Sequence, residues 1–308
     1  MKRYFRKHKN VAYGLLSLAL AVIIAVELLL GWENVLIWTG LKPSPVTAEG
    51  VMEVHYIDVG NADSILIRQG DKAMLIDAGE RGDNDDILDY FRKHGVSELD
   101  LVISTHPHAD HVGAMSMILE KIPVKRFVMA YMPAEATPTS MVYEDMLEML
   151  DQKNIPVDEA KPGTIYTLGD AEVQILAPFT ETDDANDMSV VTRVVFGQNS
   201  FLFTGDAGKT VENQLMKSGY DIQADVLKVS HHGSNTANSL TFLKKVKPQY
   251  AVITCGADNL YGHPHDEVVS RLKKQKATIY RSDVYGDIVF YSDGENITIE
   301  TEKGALKQ

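Results

Sequence analysis

The sequence predicts an α/β domain with two sheets covered by helices, preceded by a membrane-spanning segment. From residue 51 onward, short apolar runs rich in β-branched and aromatic residues alternate with amphipathic helical patterns. The N-terminus is basic and is followed by a long apolar run. The C-terminal half repeats the alternation of strands and helices without repeating the sequence, so two sheets in one domain are favoured over two independent domains.

The first 50 residues divide into three segments by composition. Residues 1–10 are basic, residues 11–31 are apolar, and residues 32–50 form an interfacial segment and linker with two tryptophans and two prolines. An apolar helix of this length crosses a hydrocarbon core of about 30 Å. The positive-inside rule then predicts a single-pass anchor in the cell membrane, with the domain at residues 51–308 outside the cytoplasm. A buried helix at the edge of the domain is the alternative.

The charge balance argues against broad electrostatic capture of nucleic acid. The residues after Trp38 include 25 basic and 41 acidic side chains, a formal net charge of −16. Such a surface repels polyanions at long range. The basic residues near Lys244 and Arg271 are interpreted as solvated helix faces rather than as a strip that follows phosphates. The single cysteine, Cys255, excludes an intrachain disulfide and does not indicate a redox compartment.

The elements of the domain are predicted from the period of the apolar residues. Strands are expected at the apolar runs, beginning with "MEVHYIDV", "SILIR", "AMLIDAG" and "LDLVIST" and ending with "GDIVFYS" and "NITIET". A helical pattern, "NDDILDYFRKHG", stands between the third and fourth of these runs. Further helices are expected at residues 141–152, 209–217, 239–245 and 267–274.

The segment "STHPHADHVG" directly follows the predicted buried strand "LVIST". It contains His106, His108, Asp110 and His111 within six positions. Imidazole nitrogen and carboxylate oxygen are the usual ligands of zinc and similar cations, and ligands in α/β folds gather where strands end. The pattern therefore predicts a metal site rather than a structural or surface cluster.

Other motifs, in a fixed order, narrow the prediction. They are "VHYIDVGNADSILI", "LIDAG", "NDMSVV", "FLFTGD", "LKVSHHGS" and "YGHPH". Together with HxHxDH they resemble the metallo-β-lactamase superfamily and, within it, the metallo-hydrolase domain of ComEC-type competence proteins. The resemblance extends from about residue 54 to the C-terminus. It implies an αβ/βα four-layer sandwich with a two-metal site in a cleft at the sheet edges.

The resemblance also implies roles for individual residues. His106 and His108 would bind the first metal, and Asp110 and His111 the second. Asp206 would bridge both metals, and His231 would complete the second site. Less direct or uncertain roles fall to Asp77, which would orient the histidine loop, and to Asp63, Asn186, Ser189 and His232.

The first metal site lacks an expected ligand. No histidine lies between residues 112 and 230, an interval in which many members of the superfamily place another first-site histidine. Asn186 and Ser189 match the ComEC-type pattern there, and both are weak, hard ligands. The resemblance thus implies two divalent cations, Zn²⁺ or Mn²⁺, with Mn²⁺ favoured at a loose first site and occupancy by a single metal left open.

The predicted function is a membrane-anchored, metal-dependent hydrolase with a metal-bound hydroxide as nucleophile. A locally cationic pocket favours a phosphodiester, so a nuclease acting on single- or double-stranded DNA, as in competence, is expected. Asp110, His263 and His265 are the expected catalytic residues, with one of the two histidines steadying the phosphate. The alternatives are a hydrolase of another ester (a cell-wall phosphodiester, a phosphocholine ester or a lactone) and a noncatalytic surface module with structural metal. No protein partner is indicated.

Overall fold

The computed structural model describes residues 50–133, 137 and 140–304. Both sheets lie within one compact unit, Thr47–Tyr90 with Ser97–Gln308. The predicted anchor at residues 11–31 lies outside the described residues. Among the residues that are described, no helix combines the length and apolarity needed to cross a bilayer.

The strands are short, and their bounds follow the apolar runs of the sequence. They are β1 (Met52–Tyr56), β2 (Ile65–Gln69), β3 (Lys72–Ile76), β4 (Leu101–Ser104), β5 (Phe127–Met129), β6 (Val157–Glu159), β7 (Ile165–Leu168), β8 (Ala171–Ile175), β9 (Thr192–Phe196), β10 (Asn199–Phe203), β11 (Val226–Lys228), β12 (Tyr250–Ile253), β13 (Thr278–Arg281), β14 (Ile288–Ser292) and β15 (Ile297–Thr301). The α-helices are α1 (Asn84–Lys93), α2 (Ala109–Val112), α3 (Met115–Lys121), α4 (Met141–Gln152), α5 (Lys209–Lys217), α6 (Leu240–Val246), α7 (Asp266–Lys274) and α8 (Ser282–Tyr285).

The strands form two sheets. The first has the order β15-β14-β1-β2-β3-β4-β5-β6, and the second has the order β13-β12-β11-β10-β9-β8-β7. In each sheet one half is parallel, from β3 to β6 in the first sheet and from β10 to β13 in the second. The remaining neighbours pair antiparallel. Each sheet therefore has a group of adjacent strands whose carboxyl ends lie at one edge.

The main core lies between the two sheets. Val54 and Ile67 of the first sheet and Val194 and Phe203 of the second belong to one cluster of buried side chains. A second cluster joins the other face of the second sheet to α5, α6 and α7. Because alternate residues of a strand point to opposite faces, Phe201 and Phe203 enter the first cluster and Leu202 enters the second. The predicted α/β sandwich with two sheets is confirmed.

Two helices have the bounds that the sequence predicts, whereas one strand and two short helices were not predicted. The helices predicted at residues 141–152 and 209–217 are found with those bounds. Strand β6 was not predicted, because the segment "VDE" is largely exposed at the sheet edge and has no apolar run. Helices α2 and α3 were missed as well, since four and seven residues are too few for a helical period to stand out.

Candidate metal centre

Most of the histidine and aspartate motifs follow the carboxyl ends of parallel strands. His106, His108, Asp110 and His111 come after β4, and Asp77 comes after β3. In the second sheet, Asp206 follows β10, the two histidines His231 and His232 follow β11, and Thr254 follows β12. Loops at the carboxyl ends of adjacent parallel strands meet at one edge of a sheet, which is where ligand sites of α/β folds lie.

Asp77 organises the histidine loop. The residue is fully buried and has a φ of 57°, which turns the chain sharply at the end of β3. Its Oδ1 accepts a hydrogen bond from the Thr105 backbone N–H at 2.7 Å, and its Oδ2 accepts from Thr105 Oγ1 at 2.6 Å. Oδ2 also lies 2.7 Å from His111 Nδ1. One carboxylate thus holds both the backbone that precedes His106 and the ring of His111.

These hydrogen bonds fix the tautomers of three imidazoles. His111 donates from Nδ1 to the Asp77 carboxylate, and His232 donates from Nδ1 to the carbonyl oxygen of Thr254 at 2.9 Å. The Thr105 hydroxyl gives its proton to Asp77, so it accepts from His106 Nδ1 at 3.1 Å. In the neutral rings of His111 and His232 this leaves the Nε2 lone pair free for a ligand, whereas His106 Nε2 lies 3.1 Å from His108 Nδ1. Partners of the second ring nitrogen orient metal-binding histidines in this way.

Asp206 lies between two groups of donor atoms. Its Oδ1 is 3.3 Å from His111 Nε2 and 3.7 Å from His232 Nε2. Its Oδ2 is 3.5 Å from His231 Nε2 and 3.9 Å from His106 Nε2. Since the two oxygens of one carboxylate face different histidines, Asp206 stands where a bridging ligand would stand.

The second group, around Asp206 Oδ1, has the chemistry of a cation site. His111 Nε2, His232 Nε2 and Asp206 Oδ1 are buried and have no hydrogen-bond partner. With Asp110 they form a set of ligand atoms that all lie within 4.8 Å of one another. Burying a polar atom without a partner costs on the order of 1–3 kcal/mol. A single cation would satisfy all three, and two ligands of a tetrahedral ion lie roughly 3.3 Å apart, close to the spacings found here.

The first group contains His106 and His231, which face Asp206 Oδ2, and His108, which lies beside His106. His106 Nε2 lies 3.1 Å from His108 Nδ1, and the two rings meet edge to face. His108 is half-buried, whereas His106 is almost fully buried. The donor types, three imidazoles and a carboxylate oxygen, also suit a divalent cation.

The rings of His231 and His232 lie on different oxygens of Asp206. His231 was expected beside Asp110 and His111, but it is His232 Nε2 that lies 3.4 Å from Asp110 Oδ2. His231 Nε2 instead lies 3.5 Å from Asp206 Oδ2, the oxygen that also faces His106. The cause is local: His231 and His232 have φ values of 51° and 49°, so consecutive side chains reach opposite sides of Asp206. Such left-handed backbone costs on the order of 1 kcal/mol or more per residue.

Gly205 allows the two metal-binding loops to approach each other. It has a φ of 48°, and a Cβ at this position would lie 2.9 Å from Thr105 Cβ and 3.1 Å from Ser189 Oγ. Any larger residue would push Asp206 away from the His106 loop. Ser189, which was expected as a possible weak ligand, is fully buried and accepts a hydrogen bond from the Asp206 backbone N–H at 3.1 Å. It therefore positions Asp206, while Asn186 lines the cavity with an unpartnered Oδ1.

Asp63 lies behind the second group and is neutralised by a lysine. Its Oδ2 forms an ion pair with Lys228 Nζ, and both side chains are almost completely buried. Its Oδ1 accepts from Thr254 Oγ1 and is 3.6 Å from His232 Nδ1. Asp63, Asp77 and His111 also form a compact acidic cluster. Because Lys228 already supplies a positive charge there, this inner cluster is not a further cation site.

The electrostatics of the site keep its carboxylates charged. Burial tends to raise the pKa of Asp206, but the His111 and His232 rings hold it well below its usual range. Burial opposes ionisation of Asp110 too, yet the same two histidines lower its pKa. For His106, burial and then the neighbouring His111 lower the pKa well below its usual value. Charged carboxylates and a neutral His106 are the forms that bind a cation.

A cavity of about 390 Å³ opens onto the site. His108, Asp110, Asp206 and both histidines after β11 line it, together with Asn61, Ala109, Asn186, Tyr261 and His263. His263 is 9% exposed and has an unpartnered buried Nδ1, and burial, reinforced by nearby histidines, lowers its pKa to about 4. His265 does not line the cavity; its Nδ1 accepts from the Asn235 backbone N–H at 3.1 Å. Of the two expected phosphate ligands, only His263 faces the metal centre.

Several supporting residues were missed by the sequence prediction. Thr105, Thr254 and Lys228 all hold ligand side chains or their neighbours in place. The signal for Lys228 was available, since a lysine within the apolar run "ADVLKVS" of a buried strand needs a partner. No such signal marks Thr105 or Thr254, because their contacts depend on which strands become neighbours.

Comparisons with known proteins agree with the fold and the site. The sequence model of the metallo-beta-lactamase superfamily matches residues 57–257. ComE operon protein 3 of Bacillus subtilis is 27% identical over 264 residues, which cover 80% of this chain and 33% of that protein. Competence protein ComA of Neisseria gonorrhoeae is 30% identical over 285 residues (89% and 38%), and recombination protein 2 of Haemophilus influenzae is 31% identical over 242 residues (77% and 28%). The chain spans about a third of the length of these curated relatives.

Solved structures show the same fold at low identity. The metallo-beta-lactamase fold protein YhfI from Bacillus subtilis has a TM-score of 0.54 at 14% identity, covering 79% of this chain and all of that one. CmlA, a diiron beta-hydroxylase from Streptomyces venezuelae, has a TM-score of 0.52 at 14% identity, covering 77% of this chain and 53% of its own. The resemblance to ComEC-type competence proteins is confirmed by the curated relatives. With its two-sheet sandwich and its histidine and aspartate motifs, the chain belongs to the metallo-beta-lactamase superfamily.

Proposed function

We propose that the chain is a two-metal phosphodiesterase that cleaves DNA and is anchored to the cell membrane by its N-terminal segment. The position of Asp206 carries the proposal, because its two oxygens face two separate groups of histidines. A single carboxylate shared between two sets of donors is the arrangement that two-metal hydrolases need.

Two groups of residues would hold the cations. His106, His108 and His231 would hold the first, Asp110, His111 and His232 would hold the second, and Asp206 would contact both. When bound, such ions act as Lewis acids on a phosphoryl oxygen and lower the pKa of water. The half-buried His108 and the weak donor Asn186 favour a looser first site, at which Mn²⁺ is preferred to Zn²⁺.

The remaining chemistry falls to residues that face the cavity. The Asp110 side chain is 27% exposed, against 2% for Asp206, so Asp110 is the carboxylate available to orient an attacking water. His263 is neutral at neutral pH because its pKa is about 4, and it would donate one N–H to a phosphate oxygen. Asp77, through Thr105 and His111, would keep the metal ligands aligned.

DNA is the proposed substrate because the curated relatives are competence and recombination proteins. Two divalent ions also leave the pocket locally cationic within an acidic domain, which favours an anionic phosphodiester over a neutral ester. The net charge of −16 after Trp38 weakens capture of long duplexes, so the proposal is for local cleavage rather than for processive tracking.

Metal-dependent cleavage is tested on the full chain after the metal is stripped and Mn²⁺ or Zn²⁺ is reloaded. The chain should hydrolyse a bis-aryl phosphate and labelled DNA but not a lactone. Asp110→Ala should lose this activity by a factor of at least 100 while its circular dichroism spectrum shows that it remains folded. Asp86→Ala, an exposed aspartate on α1, is the matched control and should retain full activity. Hydrolysis of lactones but not of phosphodiesters, or full activity of Asp110→Ala, would refute the proposal.

The proposed membrane anchor is residues 11–31, with residues 1–10 in the cytoplasm and residues 51–308 outside it. Length, apolarity and the basic flank support it. The full chain should remain in the membrane fraction after an alkaline wash, and deletion of residues 1–49 should release it. Release of the full chain by the wash would contradict the anchor.

A further inference from the structure

An exposed aromatic residue stands at the rim of the metal cavity. Tyr261 lines the cavity and is 69% exposed, and its neighbour Leu260 is 99% exposed. Among the large apolar side chains that are exposed in the described part of the chain, Tyr261 alone lines this cavity. A tyrosine and a leucine held in water beside a catalytic centre lose the free energy of burial, so a bound partner that covers them would gain it.

Residues 256–263, called the Tyr261 loop below, carry this ring. The side chain of an asparagine holds the loop in place by hydrogen bonds. Asn259 Nδ2 donates to the carbonyl oxygens of Gly256 at 2.7 Å and of His263 at 2.6 Å. The His263 backbone N–H donates back to Asn259 Oδ1 at 2.9 Å. These bonds close the loop on itself, so the rim does not have to be ordered when a substrate binds.

The Tyr261 ring continues a stack that begins at the metal centre. Tyr261 lies on His263 with ring centroids 5.6 Å apart and an interplanar angle of 21°. His263 in turn lies on His232 at 6.3 Å and 22°. His263 covers one face of the tyrosine, and the high exposure of Tyr261 leaves the other face open to solvent. The open face is inclined by 21° to the His263 ring beneath it.

The lining of the cavity has few groups that attract phosphates. No lysine or arginine is among the described residues that line it. Within the cavity, affinity would therefore come from the cations, from the His263 N–H and from contacts with the bases. A planar base fits the open face of a tyrosine, and stacking does not depend on which base it is.

We propose that Tyr261 is a base-stacking residue that selects single-stranded nucleic acid at this site. The inference rests on the proposed phosphodiesterase function and adds the feature of the substrate that is recognised. The His263 ring lies between Tyr261 and His232, so the tyrosine is two ring contacts away from the metal centre. A base within one or two nucleotides of the scissile phosphate would therefore reach the Tyr261 ring. In a duplex that base is already stacked between its neighbours, and it would have to leave the helix to cover Tyr261.

The test pairs protein variants with substrates that differ only in their bases. Full-length chain, Tyr261→Ala and Tyr261→Phe are given a single strand with normal bases and the same strand with abasic nucleotides around the cleavage position. Tyr261→Ala should lose roughly tenfold in kcat/KM on the normal strand and nothing on the abasic strand, whereas Tyr261→Phe should behave as the parent. Tyr220→Ala, an exposed tyrosine outside the cavity, is the control and should change neither rate.

Binding gives a second readout that does not need turnover. The anisotropy of a labelled single strand should show tighter binding than that of its abasic counterpart, and the difference should vanish in Tyr261→Ala. Equal losses on both strands, or no loss on either, would overturn the stacking role and leave the phosphodiesterase proposal intact. Absence of cleavage of every phosphodiester would instead overturn the proposed function, and the binding comparison would still decide the stacking role.

Discussion

At the scale of single residues, Asp77 shows how one buried carboxylate aligns two candidate metal ligands. It binds His111 directly and His106 through the Thr105 hydroxyl, so both rings present Nε2 to Asp206. Burial raises the pKa of Asp77, although His111 and the donated hydrogen bonds oppose the shift. The hydrogen bonds that align His106 and His111 therefore also stabilise the buried Asp77 carboxylate.

Replacement of Asp77 by Asn should weaken metal binding without removing a ligand. An amide accepts hydrogen bonds less strongly than a carboxylate, and His111 would no longer face a negative partner. We expect a loss of about 10- to 100-fold in metal affinity, measured by competition with a chromogenic chelator. The exposed Asp86→Asn is the control. Unchanged affinity in Asp77→Asn would show that the loop keeps its shape without the carboxylate.

The assignment of the two adjacent histidines can be tested by counting metal ions. His232→Ala removes a buried ring that faces Asp110 and His111, so the chain should bind about one divalent ion instead of two. The motif-based assignment, in which His231 completes that group, predicts two bound ions in the same variant. Elemental analysis of the purified full-length variant, alongside His231→Ala and His265→Ala, separates the two outcomes. His265→Ala should keep both ions, because its ring does not line the cavity.

At the scale of elements, strand β11 contributes a buried ion pair behind the site and leads into the loop that carries His231 and His232. Its last residue, Lys228, is completely buried and pairs with Asp63 of the first sheet's loop region. The chain then reaches His231 and His232, which have left-handed backbone angles. The His231 N–H donates a hydrogen bond to the Gly205 carbonyl oxygen at 3.1 Å and holds this backbone in place. A short strand between two parallel neighbours therefore determines where two ligands point.

Loss of the buried lysine should destabilise the domain strongly. Lys228→Met fills the space but leaves the Asp63 carboxylate buried without its cation. Breaking a buried ion pair in this way costs about 3–5 kcal/mol. Urea unfolding of the full chain measures the change, with Lys244→Met on α6, an exposed lysine, as the control that should change stability by less than about 0.5 kcal/mol. A loss of less than about 1 kcal/mol would mean that Asp63 becomes protonated or finds another partner.

At the scale of the whole molecule, the candidate centre joins loops from the two sheets. The first sheet contributes the His106 to His111 loop after β4, and the second contributes Asp206 and the histidines after β10 and β11. Bound cations would therefore connect the two halves of the sandwich at one edge. A ligand that binds only the folded state stabilises it by mass action, by about 2.7 kcal/mol at a concentration 100 times its Kd.

Removal of metal should lower the thermal stability of the protein. For a domain of this size the linkage corresponds to a decrease of roughly 5–10 °C in Tm on treatment with EDTA, restored by Mn²⁺ or Zn²⁺. Differential scanning fluorimetry of the full chain measures the shift. Asp206→Ala, which lacks the shared ligand, should show little response to either EDTA or added metal. An equal response in both proteins would place the stabilising metal elsewhere.

The sequence best predicted the features that depend on residues close together in the chain. His106, His108, Asp110 and His111 are close in the sequence, and a loop after a buried strand cannot spread them far apart. The alternation of apolar runs likewise predicted two sheets with helices, since strand and helix periods are properties of a few consecutive residues. Asp206 was placed by its motif, and its position between two groups of histidines agrees with that expectation.

Other features depended on tertiary structure. The directions of the His231 and His232 rings follow from two left-handed residues that no local pattern indicated. The Asp63 and Lys228 pair joins residues 165 positions apart in the sequence, and the Tyr261 stack is formed by a loop that meets the site only after β11 and β12 have become neighbours. The order and types of the residues were enough to identify which side chains can bind a cation. Only the folded chain decided which oxygen or nitrogen atom faces which, because those directions depend on backbone angles and on contacts between distant strands.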